Sequence, residues 1–322
     1  MTLELSQKHL QKLKEQMVNA GFPECPIEFF DIHSLLSKIT ILDIEKKIEK
    51  FRMIDLKKIS NKDLSNALME VLSININGDK HSILFPRFME YPAKTRFYRV
   101  RKINSNDTSI PYNTISKEQD VWNPPVELIL QPGRLNKAHE SLLYTSPISP
   151  FTAIEEMKIH EDEKFGLIVY ESEFPIKVVM IGFWEDIPEL TEEENLKLRM
   201  FTHFLHTEFT RDVGFGTEYL YRVSEMITKE YFDFPPKDIQ DAWCYPSIAT
   251  KKHVNVCFRP DIAKDLLRFV GVQFCQIKRF DDVIRIKCNY IATGIDANKK
   301  LLYSSVNSDL CRQLFPEIKI EK

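Results

Sequence analysis

Apolar residues recur at helical spacing in the first quarter of the chain. Three groups show it: Leu10, Leu13 and Met17; Ile44, Ile48 and Phe51; and Leu64, Leu68, Val71 and Leu72. Each spacing of three to four residues places its group on one face of a helix. Ser60 and Asp63 have the spacing of a capping box ahead of the third group. The pattern predicts a small helical N-terminal domain or arm over residues 1–78, which carries no recognisable chemistry.

The hydrophobic pattern becomes β-like from Asn77–Gly78–Asp79 onward, and we predict one α+β domain over residues 79–322. Within it, residues 96–101 alternate as a half-buried strand does, with Phe97, Arg99 and Arg101 on one face and Tyr98 and Val100 on the other. Burying an arginine is costly unless an anion meets it. From this segment alone, Arg99 is interpreted as exposed on an edge strand.

The middle of the chain predicts a turn, a short strand and the start of a helix. The turn residues Pro132–Gly133 come directly before Arg134. Residues 142–144 lie between turns and are interpreted as a short strand. Ser149 fits an N-cap and Pro150 the first helical position, so Glu155 and Glu156 should fall on the first turns. Acidic residues there favour the helix dipole and are usually structural. The two glutamates point about 100° apart, and the residues alone do not show which one faces a cleft.

Further elements follow the same rules through the C-terminal half. They are buried strands at 165–170 and 176–182, a long helix from the Thr191/Glu194 capping box to Gly214, a helix with a core stripe of Tyr219, Val223, Met226 and Ile227, a hairpin of 242–248 with 254–258, a short helix capped by Asp261, and strands at 272–293 around the turn 280–282. His203 and His206 could share a helix face. Without a nearby carboxylate in a ligand motif, packing or surface positions are the better interpretation, and no metal is expected.

Composition restricts the class of protein only loosely. The 322 residues carry a net charge of -3 and a pI near 6.3, which gives no global reason to expect a nucleic acid or an anionic membrane as partner. No secretory signal or membrane span is recognised, so a cytoplasmic protein is expected, with its six scattered cysteines as reduced core thiols. The GxGxxG, Walker A, GxSxG and HExxH motifs are absent from the sequence.

Five short motifs occur in order between Phe97 and Phe269. They are Phe97–Val100, Gly133–Asn136, Leu143–Ser146, Thr152–Glu156, and Trp243–Ile248 followed by Asn255–Val256. Together they resemble the RES domain family, which is named for an Arg, a Glu and a Ser and is widespread as the toxin of RES–Xre toxin–antitoxin pairs.

The resemblance implies a fold similar to ADP-ribosyltransferases, a domain core at about 97–269, and degradation of NAD at its nicotinamide–ribose bond by hydrolysis or phosphorolysis. Matched motif by motif, the catalytic residues would be Glu156, Arg99 and Ser247, and the NAD-binding residues Arg99, Arg134, Tyr144 and Ser247. The family spacing selects Glu156 over Glu155. NAD would be the substrate and an Xre-type antitoxin a protein partner, while the oligomeric state stays open.

These residue types suit the implied reaction. A carboxylate beside the ribose would stabilise oxocarbenium charge, and arginine matches pyrophosphate oxygens bidentately. Tyr144 could stack on nicotinamide, and Ser247 could hydrogen-bond Glu156 or the ribose. Taken singly, Tyr144 could instead fill the core, and Ser247 could be a turn residue. Two other functions stay open: transfer of ADP-ribose to a macromolecule, and a catalytically silent module that binds a nucleotide.

Overall fold

A computed structural model describes residues 32–234, 238–250, 253–280 and 283–319. The described chain begins with helices α1 (Ile32–Ser37), α2 (Ile41–Arg52) and α3 (Asn61–Leu72), followed by the hairpin of β1 (Ser73–Ile76) and β2 (Asp79–Ser82). The helix predicted around Leu10–Met17 lies outside the described residues. The other two predicted N-terminal helices are confirmed, with a capping box at Thr40/Asp43 and an N-cap at Ser60.

The rest of the chain alternates strands with helices. The strands are β3 (Arg87–Tyr91), β4 (Arg96–Lys102), β5 (Leu143–Pro147), β6 (Phe165–Ser172), β7 (Ile176–Met180), β8 (Ala242–Pro246), β9 (Val254–Phe258), β10 (Leu267–Phe280), β11 (Val283–Ile295) and β12 (Leu301–Ser304). The helices are α4 (Glu118–Val121), α5 (Pro150–Glu156), α6 (Glu192–Phe209), α7 (Tyr221–Tyr231), α8 (Pro260–Leu266) and α9 (Asp309–Leu314). The α+β class predicted from the sequence is confirmed.

Ten strands form one large sheet in the order β12-β11-β10-β6-β4-β5-β9-β8-β7-β3. Its neighbours are antiparallel except for β7 and β8, which run parallel. The two halves of the sheet join at β4 and β5 through only two registered residue pairs, Phe97 with Pro147 and Tyr98 with Ser146. Beyond Tyr98 the two strands are no longer paired, so the sheet opens along this line.

Each face of the sheet has its own core. One face carries Tyr98, Ser146 and Tyr144, and is covered by α5, α9 and the helices α2, α3, α6 and α7. The opposite face carries Phe97 and Tyr170, and is covered by the segment around Ile115 to Val121 and by α8. Because neighbouring residues of a strand point to opposite faces, the alternation of β4 separates these cores.

The N-terminal helices belong to the same core as the sheet. Phe51 of α2 meets Phe204 of α6 edge to face, with ring centroids 5.2 Å apart. Leu64 and Leu68 of α3 are buried in the cluster that contains Trp243 of β8. The boundary predicted near residue 78 falls in the turn between β1 and β2. The helices that precede this turn in the chain pack in the same core as the large sheet.

Strand β4 corrects one expectation. The alternation of residues 96–101 is confirmed, but the edge position is wrong, because β4 pairs with β6 on one side and with β5 on the other. Arg99 itself lies just past the last pair with β5, is registered with Ile168 of β6, and is partly buried. Alternation shows which residues share a face, whereas the number of neighbouring strands depends on contacts distant in sequence.

The position of Glu155 and Glu156 within helix α5 also differs from the prediction. The helix begins at Pro150 as expected but has only seven residues, so Glu155 and Glu156 occupy its last turn, not its first. Lys158 has a left-handed φ of 47°, and Ile159 N–H bonds back to the carbonyl of Ile154, which ends the helix. The helix dipole therefore does not favour two carboxylates here, because their end of the helix is the negative one.

Two further helix ends differ from the prediction. The long helix α6 opens with the Thr191/Glu194 capping box, as predicted, but ends at Phe209 and does not reach Gly214. The short helix α8 takes Arg259 as its N-cap residue, and Asp261 lies inside its first turn. Of the predicted stripe, Val223, Met226 and Ile227 are buried in α7 and form core, whereas Tyr219 lies in a 3-10 turn before the helix and is half-buried.

Several smaller expectations concern reactive side chains and membranes. Five cysteines are free thiols, and Cys25 lies outside the described residues. The rings of His203 and His206 stack with centroids 6.5 Å apart, and His206 Nδ1 lies 3.2 Å from the carbonyl of Gly182. Across the described ranges, no three His, Cys, Asp or Glu side chains are grouped to hold a metal, and no helix has the length and apolar character needed to cross a bilayer.

Candidate active site

The corner between β5 and α5 brings Glu156 onto the sheet. The chain reverses at Ile148, whose φ is 67° and whose amide donates to the carbonyl of Arg96 on β4. Ala153 and Ile154 then bury against Tyr98 and Val100. Because α5 rests on β4 and follows directly from β5, its last residue lies over the two strands where the halves of the sheet meet.

Three donors converge on one carboxylate oxygen of Glu156. Ser247 Oγ donates to Oε1 at 2.5 Å, Asn255 Nδ2 donates at 2.8 Å, and Ile248 N donates at 3.2 Å. Among the described residues, no donor meets the second oxygen, Oε2. Hydrogen bonds to a charged acceptor are strong and directional. One oxygen therefore fixes the carboxylate, and the other is left for a ligand.

The donors are themselves held in place by a second layer of hydrogen bonds. Ser247 Oγ accepts from Thr250 N at 3.1 Å and lies 3.0 Å from Thr250 Oγ1. Ser146 Oγ donates to Asn255 Oδ1 at 3.0 Å, which turns the amide nitrogen of Asn255 toward Glu156. Ser146 and Ser247 are both 2% exposed, so their bonds are sheltered from water.

Sequence analysis missed Asn255, Thr250 and Ser146 as site residues. A signal for Asn255 was present, because asparagine is depleted in strands and this one interrupts an otherwise apolar run in β9. Thr250 and Ser146 gave no comparable signal, since small hydroxyl residues are ordinary in turns and strands.

Tyr144 lies on the same face as Glu156, but its hydroxyl is already engaged. It donates to Asn136 Oδ1 at 2.7 Å and accepts from Leu135 N at 3.1 Å. Burial raises the pKa of Tyr144 well above its usual value, so the phenol stays neutral. A Cβ on Gly133 would lie 2.4 Å from Asn136 Oδ1, so this turn requires glycine because the chain passes too close to Asn136 for a side chain.

Arg134 faces the end of α6. Its Nη1 bonds to the carbonyl of Phe209, its Nη2 donates to the carbonyl of Arg211 at 3.3 Å, and its guanidinium lies over the ring of Tyr221 at 5.2 Å. A cation against the last carbonyls of a helix is favourable. Arg134 therefore has a structural partner at the point where α6 ends.

Arg99 points to the other face of the sheet from Glu156. Its strand position pairs with Ile168, and its face is that of Phe97, whereas the Glu156 network is attached to the Ser146 face. Arg99 Nη1 donates to the carbonyl of Trp122 at 2.8 Å. Burial lowers the pKa of Arg99, and neighbouring Tyr170 opposes that effect. No carboxylate of the described chain forms an ion pair with Arg99, since Asp120 pairs with Arg101 at 3.3 Å.

Tyr245 is a further neighbour of Glu156 that sequence analysis did not single out as a site residue. It is the registered partner of Asn255 and is 4% exposed. Burial raises the pKa of Tyr245 well above its usual value, and the negative charge of Glu156 adds to that effect. A neutral phenol therefore lies near the carboxylate, on the residue that pairs with Asn255.

Glu155 and Glu156 point to different partners, as their angular separation predicts. Glu155 Oε1 pairs with Arg279 Nη2 of β10 at 2.8 Å, whereas Glu156 joins the network of β8 and β9. Helix α5 thus links both halves of the sheet through two adjacent side chains. Of the predicted residues, the structure brings Glu156 and Ser247 into contact, places Tyr144 and Arg134 along the same face, and places Arg99 on the other.

Comparison of the chain with protein-family models, with curated proteins and with solved structures finds no match.

Proposed function

We propose that this protein consumes NAD by cleaving the bond between nicotinamide and ribose, with water or phosphate as the acceptor. The observation that carries the proposal is the Glu156 carboxylate, which is oriented through Oε1 by three donors and has no described donor at Oε2. A fixed anion with one free oxygen suits the stabilisation of positive charge on a sugar.

The reaction would use Oε2 of Glu156 as that anion. As the bond from ribose C1′ to nitrogen lengthens, its electron pair passes to the nicotinamide ring and C1′ gains oxocarbenium character. Nicotinamide leaves as a neutral molecule, so no general acid is needed. Ser247 and Asn255 would keep the carboxylate in position. Water, which releases one proton to solvent, or a phosphate oxyanion would then form the new bond to C1′.

The position of Arg99 supports a ligand that crosses the sheet opening. Arg99 is the first residue of β4 beyond its last registered pair with β5, which is where the strands separate. A partly buried guanidinium without an ion pair is costly, and a pyrophosphate would offset that cost. A dinucleotide lying across the opening would present its pyrophosphate to Arg99 and its ribose to Glu156. In that case the fold would be the ADP-ribosyltransferase-like one that the family resemblance implies.

The roles proposed for Arg134 and Tyr144 are more restricted. Both have protein partners for their polar groups, namely the end of α6 and the Gly133–Asn136 turn. Tyr144 could still offer its ring to nicotinamide, whereas Arg134 would have to leave its helix carbonyls to reach a phosphate. The proposal therefore assigns pyrophosphate first to Arg99.

The test is incubation of the purified full-length protein with NAD, with and without phosphate, following nicotinamide and the sugar product. We expect nicotinamide release that falls at least ~100-fold in Glu156→Gln, since removing one charged group from a transition state typically costs about 3 kcal/mol or more. ADP-ribose as product would indicate hydrolysis, and ADP-ribose 1″-phosphate would indicate phosphorolysis.

Glu155→Gln is the matched control, because it removes the neighbouring carboxylate of the same helix and disrupts only the pair with Arg279. It should retain nicotinamide release within a few-fold. Equal losses in both variants would contradict the role given to Glu156. Label from NAD that ends on a protein would indicate a transferase, and stabilisation by NAD without turnover would indicate a binding module.

A further inference from the structure

Three thiols share one core at the far half of the sheet from β8 and β9. Cys275 lies on β10, Cys288 on β11 and Cys311 on α9, and all three pack in the cluster that covers the Tyr98 face. Cys275 and Cys288 are directly opposed in the β10–β11 register, next to a bulge. Burial raises the pKa of Cys275, and its contact with the Cys288 thiol adds to that effect.

The position of the pair is compatible with a disulfide. Directly opposed residues of antiparallel strands have Cα atoms about 4.5–5.5 Å apart. That range lies inside the separation of about 4.4–6.8 Å that a disulfide spans. Both cysteines point to the same face and both are free thiols, so the bond would need no large backbone movement.

The two thiols differ in access. Cys275 is 2% exposed, whereas Cys288 is only partly buried and its Sγ lies 3.3 Å from the carbonyl of Tyr290. A reagent from solution can therefore reach Cys288 first. Cys275 is placed to react with the mixed disulfide that then forms on Cys288. We propose that Cys288 and Cys275 form a redox modification site that reacts with a low-molecular-weight disulfide such as oxidised glutathione.

The chemistry takes two exchange steps. The Cys288 thiolate attacks one sulfur of oxidised glutathione, a Cys288–glutathione disulfide forms, and the first glutathione leaves and takes up the proton that Cys288 lost. The Cys275 thiolate then attacks Cys288 Sγ, the Cys275–Cys288 bond forms, and the second glutathione leaves with the proton of Cys275. Two protein thiols are oxidised, and one glutathione disulfide is reduced to two thiols.

The site is connected to the helix that holds Glu156. Arg279, further along β10, donates to the carbonyl of Ile159 at 3.2 Å and pairs with Glu155 of α5 at 2.8 Å. A covalent link across β10 and β11 would hold together the strands on which this contact is built. The reactivity of this cysteine pair depends on the strand register and not on any activity toward NAD.

The experiment exposes the full-length protein to oxidised glutathione under native conditions, blocks remaining thiols with a maleimide, and maps peptides without reduction. We expect a linked peptide pair containing Cys275 and Cys288 that is lost on reduction. In Cys275→Ala the glutathione adduct should accumulate on Cys288. In Cys311→Ala the Cys275–Cys288 link should still form.

Cys244 and Cys257 are internal controls, because they are buried in the other half of the sheet and are not registered partners. They should be blocked by maleimide only after unfolding. A link from Cys288 to Cys311, a stable glutathione adduct on Cys288 of the wild type, or an unmodified Cys288 would each overturn the proposal. The wild-type protein alone decides among these results, so no variant has to fold for the test to be valid.

Discussion

Ser247 donates its hydroxyl hydrogen to Glu156 at 2.5 Å, although the two residues are 91 positions apart in the chain. One belongs to the turn after β8 and the other to the last turn of α5. Between them in the chain lie the strands β6, β7 and β8 and the helices α6 and α7, and none of these interrupts the contact. The relationship joins the Glu and the Ser of the family resemblance at hydrogen-bond distance on one face of the sheet.

Asn255 should be needed for turnover. Asn255→Ala removes the donor at 2.8 Å from Glu156 Oε1 and leaves Ser146 without its acceptor. Hydrogen bonds to a charged group are worth about 1.5–3 kcal/mol, so kcat for nicotinamide release should fall about 10- to 100-fold. Steady-state kinetics of the variant and the wild type measure this change in kcat. Ser146→Ala keeps the Asn255 amide but removes the hydroxyl that orients it, so the decrease in kcat should be smaller than in Asn255→Ala. A normal kcat in Asn255→Ala would show that Ser247 and the Ile248 amide suffice to position Glu156.

Substitution of Arg99 should weaken the binding of NAD, whereas substitution of Arg134 should lower the stability of the fold. Arg99→Gln removes a guanidinium without an ion pair in the described chain, so KM for NAD should rise with little change in melting temperature. Arg134→Gln removes the cation at the end of α6, so stability should fall by about 1 kcal/mol. Kinetics and thermal unfolding of both variants distinguish the roles. The reverse pattern would assign the pyrophosphate to Arg134.

Gly133 should tolerate no side chain. Gly133→Ala puts a Cβ 2.4 Å from Asn136 Oδ1, which must move and release the hydroxyl of Tyr144. Overpacking of this kind costs about 1–3 kcal/mol, to be read from the denaturant midpoint. Gly214→Ala is the matched control, because nothing lies within 4 Å of its added Cβ. Equal midpoints for the two variants would show that the turn can shift at no cost.

Glu225 should make stability depend on pH. Burial raises the pKa of this carboxyl above its usual value, and its side chain is 7% exposed. Because the folded protein holds this proton more tightly, the favourable contribution is complete below about pH 4.5 and is lost as pH rises through the raised pKa. Glu225→Gln cannot titrate, so it should match wild type near about pH 4 and exceed it at about pH 8.

Denaturant unfolding of both proteins across that pH range measures the difference. The comparison between the two proteins removes the contribution of titrating groups far from position 225 and leaves those of its charged neighbours Lys137, Glu140 and Lys229. Lys137, which lies 3.6 Å from Glu225 and is 71% exposed, contributes little because solvent screens it. If the stability advantage of Glu225→Gln over wild type decreased as the pH rises, the attraction between Lys137 and Glu225 would outweigh the cost of burying the Glu225 carboxylate.

The sequence by itself determined the local elements and the two faces of β4. Capping pairs at Ser60 and Thr191 and the alternation around Phe97 are short-range signals, because a cap or a strand face depends on residues within one or two turns. The angular separation of Glu155 and Glu156 likewise follows from helix geometry. The same local rules failed where an end depended on a distant contact, as at Phe209, whose carbonyl is taken by Arg134.

Only the tertiary structure decided which residues meet. It placed Arg99 on the face opposite Glu156, just past the point where β5 stops pairing with β4, because β4 joins the two halves of the sheet. It also added Asn255 to the carboxylate, since β9 is the strand that pairs with β5 beneath α5. Strand order and the packing of a helix on a sheet are set by contacts between residues far apart in the chain, which no local pattern encodes.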